Sequence, residues 1–178
     1  MELLSVKSDL AFRAVFGRDE EPCRQALICL LQDILNIRIV SLAYANPLNF
    51  KEYDGDKTSE MDIEIVTDDG KRIGIEMQLL PTESFKERMI YYCAKLVNVS
   101  LGDGQDYTLM KKSKVISFVD FVLFAENPRL MNRFTFRERE NCFELSNIAE
   151  IIFLELAKLT EKPVTEMSQL EKWLYFLR

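Results

Sequence analysis

The sequence predicts an α/β fold of mixed α+β character, a mixed β-sheet flanked by helices in a single domain over residues 1–178. Three observations predict it. Residues 58–67 (TSEMDIEIVT) and 71–79 (KRIGIEMQL) alternate apolar and polar side chains with the period of half-buried strands. Residues 20–36 and 83–100 carry apolar residues at helical spacing instead. Residues 115–124 (VISFVDFVLF) form a near-continuous apolar run, as expected of a strand covered on both faces.

Taken in order, residues 8–17 read as a short helix. Ser8 or Asp9 caps it, Phe12, Val15 and Phe16 form its apolar face, and Gly17 ends it. In the helix over 20–36, Cys23, Leu27, Leu30, Leu31 and Ile34 make a buried stripe. A strand over 38–46 leads to a polar loop, NPLNFKEYDGDK, turned at Gly55. After the 58–79 hairpin, Pro81 ends the strand, and Phe85, Met89, Tyr92, Cys93, Leu96 and Val99 line the next helix until Gly102 and Gly104. Two more strands are expected at 133–145 and 149–156, then a helix over 167–177 carrying Trp173. Phe12, Phe16, Phe118, Phe121 and Trp173 are expected in the core.

The hairpin holds the most informative residues. With Asp68-Asp69-Gly70 as a three-residue loop and glycine at its left-handed position, Thr67 faces Lys71 and Asp62 falls opposite Glu76. A two-residue loop would pair Asp62 with Met77 and mix the apolar face (Met61, Ile63, Ile65) with the polar one (Asp62, Glu64). Directly opposed residues have Cβ atoms roughly 4.5–5.5 Å apart, so two carboxylates there repel unless a cation intervenes. A divalent metal ion would resolve the conflict.

Composition excludes much else. With no histidine in the chain, Ser-His-Asp and Cys-His catalysis, HEXXH metalloproteases and histidine-based nucleases are ruled out. Chemistry must run on carboxylates, amides, lysines or tyrosines, with a hard ion such as Mg²⁺ or Mn²⁺ as the expected cofactor. Cys23, Cys29, Cys93 and Cys142 form no CxxC pair, three lie in apolar stretches, and reduced core thiols are expected rather than a zinc site. No apolar run approaches the ~20 residues of a membrane span, and MELLSVKSD lacks a signal-peptide pattern, so the expected location is cytoplasmic with no membrane partner. A net charge of -6 is awkward for binding phosphates. Basic residues do cluster, at Lys111, Lys112 and Lys114 and at Arg129, Arg133, Arg137 and Arg139. They read first as solvated surface and allow a local positive patch.

Several stretches together resemble the PD-(D/E)XK nuclease family transposases, also described as recombination-promoting nucleases: SDLAFRAVFG, MDIEIVTDDGKRIGIEMQ, SFKERMIYYCAKL, DGQDYTLMKKSKVISFVDFVLF and LEKWLYFL. The hairpin is the specific part. The resemblance implies a restriction-endonuclease-like core and a Mg²⁺- or Mn²⁺-dependent DNA endonuclease of bacteria and their mobile elements, with DNA as partner. Asp62 and Glu76 would be catalytic metal ligands, the main-chain carbonyl of Met77 would complete the metal shell, and Gln78 would stand where the superfamily motif has lysine. A lysine can deprotonate water, whereas an amide can only hydrogen-bond it. Gln78 therefore reads either as a water-positioning group or as a structural hydrogen-bonding group. Asp9 is an accessory carboxylate or a helix cap, and Lys57 a substitute cation or a solvated loop residue. Arg88 and Tyr91 match the family's Arg-plus-Tyr pattern, with structural pairing of Arg88 to a carboxylate expected. Family members are usually longer, which leaves room for a further C-terminal segment. The alternative function is a nuclease-fold module that binds nucleic acid or protein without turnover.

Overall fold

The computed structural model describes residues 9–45 and 61–178 and, for Asp9 and Leu10, the backbone alone. The expectations for Ser8, the Asp9 side chain, Lys57 and the Gly55 turn lie outside the described residues. The elements are α1 (Asp9–Phe16), α2 (Glu21–Leu35), β1 (Leu42–Tyr44), β2 (Ile63–Thr67), β3 (Arg72–Gln78), α3 (Phe85–Asn98), β4 (Ser113–Val119), β5 (Met131–Arg137), β6 (Glu144–Glu155) and α4 (Gln169–Leu177). The strands form one mixed sheet in the order β1-β2-β3-β4-β6-β5, parallel across β3, β4 and β6 and antiparallel elsewhere. Helix α3 supplies the crossover that a parallel β3–β4 pair requires. No helix among the described residues is long and apolar enough to cross a membrane.

Helices α1, α2 and α4 cover one face. Phe12 and Phe16, one helical turn apart on α1, are fully buried, and Phe12 packs on Phe118 of β4 with ring centroids 5.9 Å apart. The α2 stripe is buried at Leu27, Leu30, Leu31 and Ile34, while Cys23 is half-buried. Asn36 closes α2 in the left-handed region (φ 52°), returning its N–H to Gln32. Trp173 packs against this core and donates to Asp33 at 2.7 Å, tying α4 to α2. Helix α3 covers the other face with Phe85, Met89, Tyr92, Cys93 and Leu96.

The hairpin register is as expected: Ile63 faces Ile75, and Thr67 donates to Lys71 O at 2.9 Å across a loop closed by Gly70 at φ 81°. One expectation for its faces fails. Because α3 lies over the polar side, these strands are buried on both faces rather than half-buried, and Met61 belongs to the α3 side. A Cβ on Gly74 would stand 2.2 Å from Met61 Sδ and 3.3 Å from Leu96 Cδ1, so the small residue makes room for that packing.

Other differences have local causes. The 38–46 strand shrinks to β1, a short edge. The 115–124 strand is shifted to β4, because the N–H groups of Leu123 and Phe124 turn away to the Glu155 carboxylate at 2.7 and 3.1 Å. The 133–145 run divides into the end of β5 and the start of β6. Glu138 accepts from the N–H groups of Glu140 and Asn141, and Cys142 adopts φ 58°, so a turn forms without glycine or proline. Cys93 alone of the four cysteines is buried; Cys29 and Cys142 are exposed.

Candidate active site

Asp62 lies one residue before β2, and the hairpin register carries it to Glu76. Its N–H donates to Glu76 Oε2 at 3.4 Å, and its own Oδ2 accepts from the Met77 N–H at 2.7 Å. Both carboxylates are nearly enclosed, with side chains 10% and 9% exposed. Burial first, then the neighbouring Asp62 charge, pushes the Glu76 carboxyl up to about 7. The contacts from Arg88, the Asp62 amide and Arg13 pull the other way without cancelling the rise.

Two guanidinium groups flank the pair. Arg88 of α3 places Nη2 3.2 Å from Glu76 Oε1 and 2.6 Å from Gln78 Oε1, the structural pairing expected of it. Gln78 Nε2 donates to Leu80 O at 2.7 Å, so the amide at the lysine position is oriented at both ends. Arg13 of α1 reaches Asp62 Oδ1 with Nη2 at 3.0 Å and Nε at 3.3 Å. Sequence reasoning missed Arg13. Its neighbours Phe12 and Phe16 mark a core helix, and no local spacing reveals a partner 49 residues away.

The remaining polar residues fall elsewhere. Tyr91 is 38% exposed beneath Lys95, whose Nζ is 4.7 Å from its ring centroid, and no hydrogen bond joins Tyr91 to the carboxylates among the described residues. Glu64, on the polar face of the hairpin, is buried against Arg72 at 3.2 Å, and burial raises its pKa. The basic clusters are partly consumed internally. Lys114 and Arg133 both pair with Glu150, and Arg133 also caps the C-terminal end of α2 at Ile34 O. A groove of about 860 Å³ between α3 and β5–β6 is mostly apolar, lined by Ile90, Val97, Phe134 and Phe136, and the acid pair is not part of its lining.

The acid pair suits a hard cation: two crowded, desolvated carboxylates offer oxygen ligands. In a strand the N–H and C=O of one residue leave on the same edge, so the Met77 carbonyl departs towards the Asp62 side. Among the described residues no cluster of three or more acidic, histidine or cysteine side chains occurs.

Comparison with known proteins agrees with this architecture. No curated protein and no solved structure matches the chain. The sequence model of the PD-(D/E)XK nuclease family transposases matches residues 6–178. That span takes in α1, the acidic hairpin, α3 and β4 in the order the resemblance implied. By that match and by its mixed sheet, the chain belongs to the PD-(D/E)XK nuclease family transposases.

Proposed function

We propose that this protein is a Mg²⁺- or Mn²⁺-dependent DNA endonuclease acting in DNA recombination or transposition. Asp62 and Glu76 serve as metal ligands, joined by the Met77 carbonyl. The carrying observation is the buried acid pair, whose Glu76 carboxyl is raised to about 7 by burial and by Asp62. A divalent ion bound there supplies positive charge to the phosphate and lowers the pKa of water. As a ligand Glu76 would be ionised, its proton passing to solvent. Gln78 cannot accept a proton, but its Nε2 has two hydrogens and spends one on Leu80, leaving the other to orient a water. Arg88 holds Gln78 and Glu76 in a fixed relation.

A specific observation favours a second reading, a non-catalytic binding module: each carboxylate already has an arginine, and the Gln78 amide is tied at both ends. Plasmid and single-stranded DNA incubated with Mg²⁺ or Mn²⁺ separate the two. Cleavage by wild type that disappears in Asp62→Asn is the expected outcome. A wild type silent with both metals and both substrates would establish the module.

A further inference from the structure

Ser117 of β4 is fully enclosed, and among the described residues its Oγ has no hydrogen-bond partner. A buried hydroxyl in that state is a standing cost to the fold. Alternation along β4 puts Ser117 on the face that α3 covers, between Val115 and Val119, while Ile116 and Phe118 enter the opposite core. Across the sheet Ser117 stands beside Phe153 of β6 on one side and Glu76 of β3 on the other. Of these four neighbours only Glu76 can accept a hydrogen bond. The next acceptors in register, Gln78 and Glu155, border Val119 instead.

Glu76 has room for that bond. A carboxylate offers about four lone-pair sites, and its contacts here engage each oxygen once, Arg88 Nη2 at 3.2 Å from Oε1 and the Asp62 N–H at 3.4 Å from Oε2. Arg88 comes from α3 above the sheet and the Asp62 amide from the β2 side. Ser117 is the donor on the β4 side, about 4.8 Å away by the spacing of adjacent strands. Carboxylates that ligate metals are themselves oriented by hydrogen bonds from such outer groups.

We propose that Ser117 is a positioning residue of the metal centre. Its hydroxyl is held in reserve beside Glu76 and donates to the carboxylate when Glu76 ligates the divalent ion, fixing the orientation in which the ion is bound. This rests on the reading of Asp62 and Glu76 as metal ligands. Removing the hydroxyl should therefore weaken ion binding without weakening the fold, whereas a serine that merely fills space would leave ion binding alone.

Calorimetric titration of Mn²⁺ into wild type, Ser117→Ala, Ser117→Cys, Ser113→Ala and Asp62→Asn provides the test, with a thermal melt of each in chelator. Ser117→Ala should bind Mn²⁺ roughly 10–100-fold more weakly. In chelator it should melt at or above wild type, since it deletes an unpaired buried hydroxyl. Ser117→Cys keeps the side-chain shape with a far weaker donor and should share the loss. Ser113, the other enclosed serine of β4 whose Oγ lacks a partner, stands beside Arg72 rather than Glu76, and Ser113→Ala should bind Mn²⁺ as wild type does. Full Mn²⁺ affinity in either Ser117 variant, an equal loss in Ser113→Ala, or a melt of Ser117→Ala clearly below wild type in chelator would each overturn the assignment. If wild type and Asp62→Asn bind Mn²⁺ alike, the metal-ligand reading itself falls, and this inference with it.

Discussion

Glu76 and Glu155 are both buried acids near the C-terminal ends of parallel strands in the same sheet, yet they are treated in opposite ways. Glu155 is fully enclosed and saturated. Oε2 accepts from the Leu123 and Phe124 N–H groups, and Oε1 accepts from Asn132 Nδ2 and Lys158 Nζ, both at 2.8 Å. Glu76 receives one guanidinium contact at 3.2 Å and one amide contact at 3.4 Å, and shares its space with a second carboxylate. Burial alone thus does not distinguish a site from a brace. What distinguishes them is whether the fold provides enough donors for the charge it encloses.

The comparison breaks most visibly at Lys158, whose Nζ also donates to the Phe124 and Asn127 carbonyls. Lys158→Met strands a buried carboxylate and should cost about 3–5 kcal/mol, read as a lower urea midpoint. Glu76→Gln should behave in the contrary way. Because the folded pKa of about 7 lies above the ordinary 4.5, the native state binds more protons than the unfolded chain between those values. The contribution of Glu76 to stability is therefore fully present below about pH 4.5 and is lost as pH rises through about 7. Denaturation at a series of pH values should show Glu76→Gln gaining on the metal-free wild type over that window. A parallel pair of curves would mean that Glu76 ionises normally. The smallest effect is expected at Arg88, whose side chain is one-third exposed. Arg88→Ala should cost less than about 1 kcal/mol. It should also move the Glu76 titration, followed by carboxyl NMR, further upward, since Arg88 is the larger of the two arginine influences lowering it.

Local periodicity explains what could be read from the chain. The hairpin register, the Gly70 loop and the meeting of Asp62 with Glu76 all follow from alternation over a few residues, and helices α2 and α3 follow from their apolar stripes. Three things were out of reach for physical reasons. The side on which Met61 packs depends on α3 landing over the hairpin, and it shows only in the space at Gly74. The turn between β5 and β6 is made by a glutamate collecting amides, which composition does not signal. Arg13, the 155–158 brace and the tie from Trp173 to Asp33 join segments whose proximity only the completed fold creates.

The separation of 49 residues between Arg13 and Asp62, against 14 between Asp62 and Glu76, also orders events in time. A hairpin closes in about 1–10 μs, whereas contacts across long chain segments wait for the sheet to assemble. The two acids therefore meet early, before the N-terminal helix has docked to neutralise one of them. During that interval the nascent hairpin carries a repulsion that the docking of α1 later relieves, when Arg13 reaches Asp62.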